Sequence, residues 1–565
     1  MNLKGKPFYL NDNDISWVEG TIEKMTLDEK VAQLFCLISY GSDPDYLMNL
    51  STKVKPGGLM CRPMPLTETQ EVVSILQKNS KIPMLIAANL ERGGNGVMNE
   101  GTSLGSPLAV AATDNDEVGT HLGTVCGREG AAVGVNWSFA PIIDIDYNFR
   151  NPITNVRTFG SDPERVKRMG VNYVKALQNE GLAASIKHFP GDGVDERDQH
   201  LVTSINDFSC EEWDDTFGAI YKECIDAGAK TVMIGHIMLP EYSRKLRPGI
   251  KDHEIMPATL APELTTTLLK EKLGFNGLVV TDASSMAGFS IPMPREQSVP
   301  LTIAAGCDMF LFTKDMEEDF AFMKKGIENG LVTEQRLHEA LTKILALKAS
   351  LGLHEKQKEG NFIPEGNFLD EHKEEHVSWS KACADQSITL VKEEANVLPL
   401  TLDKYKKILV YTIESEEGFA YSVRKGADQN IINALKEEGY EVDIYEPSEG
   451  LEGMMQSVQS VTENYDLILY IANMGTRSNQ TAIRIEWAMP LGANVPIYME
   501  EIPTVFISIE NPYHLLDVPR VKTFINTYAS TDTVLESLME KLTGRSQFKG
   551  VSPIDAFCGK WDTKL

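Results

Sequence analysis

Eight short apolar runs recur along the first 350 residues, each followed by a stretch long enough for a helix. They are LFCLIS, GGLMCR near 58, MLIAAN near 84, VNWSFAP near 135, ASIKHF near 184, KTVMIGH near 230, GLVVTD near 276 and DMFLF near 308. Short, nearly continuous apolar runs mark strands buried on both faces, the condition of a parallel sheet covered by helices. Eight of them in alternation with helices predict an α/β fold, a closed (β/α)8 TIM-type barrel. A doubly wound open sheet has the same periodicity and stays open at this point. A helix is signalled by MTLDEKVAQL, where Thr26 and Glu29 form a capping-box pair and Leu27, Val31 and Leu34 fall on one face.

The texture changes after residue 353. HEKQKEGNFIPEGNFLDEHKEEH is charged, carries glycine and lacks a clear period, which reads as a linker over residues 354–380. Alternation then resumes with SITLVK, KILVYTI, EVDIYE, DLILYIAN, TVFISIEN and TFINTYA. The expected organisation is a barrel over 1–353, the linker, and a C-terminal α/β sandwich domain with a mainly parallel sheet over 381–565.

Bulk properties exclude several function classes. Lys plus Arg number 54 against 81 Asp plus Glu, a formal net charge of −27, which repels nucleic acid and anionic membrane surfaces. The eight cysteines are scattered without a CxxC pair, as buried thiols in a reducing compartment are. The N-terminus has no apolar core of signal-peptide length and no run approaches membrane-spanning length, so a cytoplasmic location is expected. A monomer or a homodimer fits equally well.

In a barrel, chemistry gathers at the C-terminal ends of the strands. Asn89 and Glu91 follow the third run, and Asp144 and Asp146 follow the fourth. Lys187 and His188 end the fifth, His236 the sixth and Asp282 the seventh. Asp282 is either a helix N-cap or a carboxylate nucleophile held rigidly at the barrel mouth. His236 reads equally well as a core histidine or a site residue, and Met286 as core packing.

Residues 187–200, KHFPGDGVDERDQH, crowd histidines and acids around a PGDG turn. Their spacing matches neither HExxH nor a calcium loop, so no metal is expected. A solvated acidic loop is the bland reading. The sharper one pairs Asp198 with His200, a carboxylate orienting an imidazole that serves as general acid and then general base. Asp192, Asp195 and Glu196 are expected to face solvent.

KHFPGDGVDERDQH resembles the signature of family 3 glycoside hydrolases in their β-N-acetylglucosaminidase branch. MTLDEKVAQL, ERGGNGV, NWSFAPIIDID, NVRTFGSDPERV and VVTDASSM agree with it in order, and SITLVKEEANVLPL and KGVSPIDAF resemble the second domain that many members carry. The resemblance implies a retaining double displacement with Asp282 as nucleophile and His200, oriented by Asp198, as acid/base. It implies sugar contacts from Arg157, Lys187 and His188, with no cofactor. One departure is Asn89, where the family's loop commonly has Asp before its glutamate. Either Glu91 takes over that grip or the sugar preference differs.

The leading expectation is therefore removal of terminal N-acetylglucosamine from muropeptides, as in peptidoglycan recycling, or from chitooligosaccharides. Phosphorolysis yielding N-acetylglucosamine 1-phosphate is the alternative, since a histidine does not repel incoming phosphate as a carboxylate does. A β-glucosidase or xylosidase of the same family, and a degenerate sugar-binding barrel, complete the set.

Overall fold

The computed structural model describes residues 1–366, 368–414, 425–446, 456–487, 489 and 492–565. All eight N-terminal runs form strands, and these close into one parallel barrel. They are β1 (Phe35–Ile38), β2 (Gly58–Met60), β3 (Leu85–Ala88), β4 (Trp137–Ser138), β5 (Ala183–Phe189), β6 (Thr231–Ile234), β7 (Leu278–Ala283) and β8 (Met309–Leu311). Closure comes from β1 pairing with β8, Phe35 opposite Phe310 and Cys36 opposite Leu311, which removes the edges an open sheet would keep. β1, β3, β5 and β6 are buried along their whole length. Inside the barrel unit, Trp137 stands edge-on to Phe139 with ring centroids 4.7 Å apart, and its Nε1 donates to Thr231 Oγ1 at 2.9 Å. That bond links β4 to β6 and satisfies the one polar atom of a fully buried indole.

The capping box forms as expected, Glu29 N donating to Thr26 Oγ1 and Thr26 N donating to Glu29 Oε2, both at 3.2 Å. Val31 and Leu34 are buried, whereas Leu27 is exposed, so the apolar face is narrower than its pattern implied.

The chain separates into two compact units, and the division differs from a single cut. Unit one holds Met1–Ser103, Gly119–Asn148 and Pro163–His376, and unit two holds Leu104–Val118, Phe149–Asp162 and Val377–Leu565. The stretch read as a linker is largely helical, in Leu353–Glu359 and Phe368–Ser387, and the units divide inside the second of these helices. Its buried stripe is His376, Ser380, Cys383, Ala384 and Ser387. Those positions have helical spacing, but the residues are polar or small, so a hydropathy pattern does not register them.

In unit two all six expected strands form one sheet: β9 (Thr389–Glu393), β10 (Lys407–Glu414), β11 (Glu441–Ile444), β12 (Leu467–Met474), β13 (Thr504–Glu510) and β14 (Thr523–Asn526). The order is β9-β14-β13-β12-β10-β11, parallel except for β9 against β14. Alternate residues feed two cores. Ile408, Val410, Leu469 and Ile507 pack with residues of the helices Ala427–Glu437 and Asp532–Leu542 on one face. Tyr411, Tyr470, Phe506 and Phe524 stack in a cross-strand ladder on the other. A sheet buried on both faces is what the runs of β-branched and aromatic residues require. Among the described residues no helix is long and apolar enough to cross a membrane. All eight cysteines are free thiols, seven buried and Cys210 half-buried.

Candidate active site

Asp282 ends β7 at the barrel mouth, with 14% of its side chain exposed. The Ala283 N–H donates to its Oδ1 at 2.7 Å, leaving Oδ2 to face His188 Nε2 at 3.8 Å. Burial pushes the Asp282 carboxyl up. The electrostatic influence of the nearby imidazoles of His188, His236 and His200, with the Ala283 N–H, more than offsets it and holds the group below the ordinary aspartate value. An ionised carboxylate presented at a strand end is what a nucleophile requires.

His188 is held from its other side. Its Nδ1 lies 2.6 Å from Asp144 Oδ2, and its own N–H donates to Asp144 Oδ1 at 3.0 Å. Asp192 N adds a third bond to that carboxylate at 2.8 Å. A carboxylate only accepts, so Nδ1 carries the proton and Nε2 is aimed at Asp282. Asp144 is wholly buried and completes an Asp144–His188–Asp282 line. The Lys187–His188 peptide is cis.

His236 is also wholly buried. Its Nε2 lies 3.0 Å from the Ala283 carbonyl and its Nδ1 3.1 Å from Thr259 Oγ1. The carbonyl can only accept, so Nε2 carries the proton and Nδ1 accepts from the threonine hydroxyl. Burial pulls the imidazole below its usual value, the nearby Asp282 carboxylate opposing, which favours this neutral form. His236 thus braces the residue after Asp282.

The loop after β5 carries the second half. Gly191 and Gly193 of the PGDG turn have φ of +121° and +103°, and a Cβ at Gly191 would meet the Phe217 ring at 2.2 Å. Only glycine fits there. Asp198 is buried, and its Oδ1 accepts both the His200 N–H at 2.8 Å and His200 Nδ1 at 2.7 Å. This fixes the tautomer and leaves Nε2 without the Asp198 bond, on a side chain 27% exposed. Asp192 and Asp195 do not face solvent as expected. Asp192 accepts from Gly193 N and Gln199 Nε2, while Asp195 has a side chain 9% exposed that pairs with Arg197 and accepts from Ile205 N. Each caps a backbone donor that the tight loop leaves unsatisfied. Glu196 is exposed.

Lys187 and Glu91 form a buried pair, Nζ to Oε1 at 2.9 Å, and Asn89 is half-buried after β3. Arg157 lies in unit two, at the end of the short turn Asn155–Arg157, so the barrel unit does not itself bring it to Asp282. The barrel unit therefore assembles Asp282, His188, His200, Asp198 and His236, and adds three residues to which no site role was given from sequence: Asp144, Thr259 and Gln199. Asp144 had a signal, an acid inside the apolar IIDID run, and the other two had none. Among the described residues no group of three His, Cys, Asp or Glu side chains is arranged to hold a metal ion.

Residues 26–347, more than half of the chain, match the glycosyl hydrolase family 3 N terminal domain. The chain belongs to glycosyl hydrolase family 3. A Cellulomonas fimi protein described as a beta-N-acetylglucosaminidase/beta-glucosidase is 53% identical over 570 residues, covering all of both chains. The solved structure of a beta-glucoside phosphorylase is 43% identical and superposes with a TM-score of 0.92 over 99% of each chain. A family 3 β-N-acetylglucosaminidase from Paenibacillus sp. str. FPU-7, 24% identical, shares the fold with a TM-score of 0.79 over 95% of this chain and all of its own. This family 3 member is a glycosidase with a two-domain α/β fold.

Proposed function

We propose that this family 3 enzyme is a retaining, exo-acting β-N-acetylglucosaminidase that also accepts β-glucosides. Asp282 Oδ2 attacks the anomeric carbon while His200 Nε2 protonates the departing glycosidic oxygen, giving a covalent glycosyl-Asp282. His200, now neutral, takes a proton from the incoming acceptor as it attacks the same carbon, and Asp282 leaves with the proton count restored. In this reading Lys187, Glu91 and Asn89 grip sugar hydroxyls, His188 stands beside the nucleophile, and Arg157 is a further sugar ligand on the resemblance. The observation that carries this reading is an Asp282 carboxylate kept ionised among three histidines, one of them already oriented by Asp198. The double name of the Cellulomonas fimi relative supports both sugars.

A second reading has inorganic phosphate as the acceptor. It is favoured by the similarity to a beta-glucoside phosphorylase over 99% of both chains, and by an acid/base that is neutral when the acceptor arrives. One experiment tests both. Aryl β-N-acetylglucosaminides and aryl β-glucosides are turned over with and without phosphate, and the sugar product is identified. Free sugar at a phosphate-independent rate is expected for the hydrolase. Sugar 1-phosphate formed at a phosphate-dependent rate replaces it with the second reading, and no turnover of either glycoside refutes both.

A further inference from the structure

Gln199 stands between the two members of the dyad, yet it is wholly buried. Both ends of its carboxamide are used. Oε1 accepts the His236 backbone N–H at 2.8 Å, and Nε2 donates to Asp192 Oδ2 at 3.1 Å. A backbone N–H only donates, so the amide has one permitted orientation. One end is thus tied to the histidine whose ring braces Ala283. The other is tied to the acid whose N–H bonds Asp144, the partner of His188.

The main chain of the same loop is stitched to the segment that follows the nucleophile. Gly288 N donates to the Gln199 carbonyl at 3.2 Å, Ala287 N donates to the His200 carbonyl at 3.0 Å, and Thr203 Oγ1 donates to the Gly288 carbonyl at 2.9 Å. A Cβ at Gly288 would stand 2.4 Å from the Gln199 carbonyl, so the two segments run at a separation that only glycine permits.

We infer that Gln199 is a positioning residue for acid/base catalysis: its carboxamide ties the His200 loop to His236, whose ring holds the residue after Asp282, so that His200 Nε2 reaches the glycosidic oxygen while Asp282 reaches the anomeric carbon. This rests on the roles proposed above for Asp282 and His200. A glutamine that merely filled a buried slot would, on replacement, lower stability and slow every substrate alike. One that acts through His200 changes which substrates are slowed. Protonation of the leaving oxygen matters for poor leaving groups and little for good ones.

The test uses the full chain and aryl β-N-acetylglucosaminides whose phenols span a wide range of acidity. Gln199→Met keeps the shape and removes both hydrogen bonds. It is expected to lose about 50-fold in kcat/KM on the least acidic phenol and less than about fivefold on the most acidic. Gln199→Glu keeps the acceptor for His236 N and loses the donor to Asp192, so it should fall between, and it carries the test if the methionine variant does not fold. In a His200→Gly background the same change should cost less than about threefold on any substrate, because the group it positions is gone. A loss uniform across the series, or one as large in His200→Gly as in the parent, overturns the proposal. His200→Gly with a parent-like dependence on the leaving group would refute the acid/base assignment itself. Its having the steeper dependence while Gln199→Met does not would refute Gln199 alone.

Discussion

Asp144→Asn should move the acid limb of the rate profile upward, because it takes away the electrostatic pull on the nucleophile without changing the shape of the site. Asp144 Oδ1 accepts two backbone N–H groups, those of His188 and Asp192. The asparagine must keep its oxygen there, which turns its NH2 toward His188 Nδ1. Nδ1 can then only accept. A protonated His188 would set two donors against each other at the 2.6 Å now spanned by a hydrogen bond. His188 is therefore held neutral with its proton on Nε2 and cannot exert on Asp282, 3.8 Å away, the electrostatic pull that lowers that carboxyl. At that separation the interaction amounts to about 1 kcal/mol in a water-like medium and about 4 kcal/mol at an effective dielectric of 20, or roughly one to three pKa units. With 14% of the Asp282 side chain open to solvent, the lower part of that range applies. The expected shift of the acid limb of kcat/KM is about one to two pH units upward. The assay is a pH profile on an aryl glycoside with a highly acidic phenol, so that proton donation by His200 is not being read. An acid limb that stays in place, with the variant folded, would refute the reading of His188 as the group that keeps Asp282 ionised.

Asp282→Ala should reduce kcat on every aryl glycoside by about 10⁴-fold or more without unfolding the barrel, and retained turnover would show the nucleophile misplaced. Arg157→Ala should raise KM more than it lowers kcat, and unchanged kinetics would remove Arg157 from the sugar ligands. Lys348 is wholly buried, donates to Gln33 Oε1 at 2.6 Å, and is pushed by burial down to about 7. Its folded value lies below its unfolded one, so the unfolded chain binds the extra proton between pH 7 and about 10 and stability rises with pH across that window. Lys348→Met should therefore stabilise the protein at pH 7, by about 2 kcal/mol after the lost bond to Gln33, and by progressively less toward pH 10. Urea midpoints at pH 7 and 9.5 check this, and a difference independent of pH would count against it.

The barrel was legible because each of its strands is a short apolar run, and burial on both faces demands such a run wherever it falls in the chain. The domain boundary was not, for two physical reasons. The helix Phe368–Ser387 buries His376, Ser380, Cys383, Ala384 and Ser387, a stripe with helical spacing but without hydropathy. Leu104–Val118 and Phe149–Asp162 belong with the second unit although they lie within the barrel's stretch of sequence. A single cut point cannot represent that. Val156, for instance, packs with Tyr513, Tyr528 and Ile554, residues more than 350 positions away.

The site divides along the same line between what a motif can carry and what only folding can assemble. Asp198 and His200 are two residues apart, so their pairing is local and readable, and Asp282 is announced by the apolar run before it. The environment that keeps Asp282 ionised is not local. It comes from His188 at the end of β5, His236 after β6 and His200 on the loop between them, brought around one carboxylate by barrel closure. Each of these histidines has its tautomer set by its own partner: a carboxylate for His188 and for His200, from Asp144 and Asp198, and the Ala283 carbonyl for His236. The acids around the PGDG turn illustrate the same limit. By composition they belong in water, yet Asp192 is buried because a turn this tight leaves Gly193 N and the Gln199 amide in need of an acceptor. An acidic run therefore marks a solvated surface only where the backbone beneath it is already satisfied. Around an active-site loop held in glycine-only conformations, the same residues become the loop's internal frame.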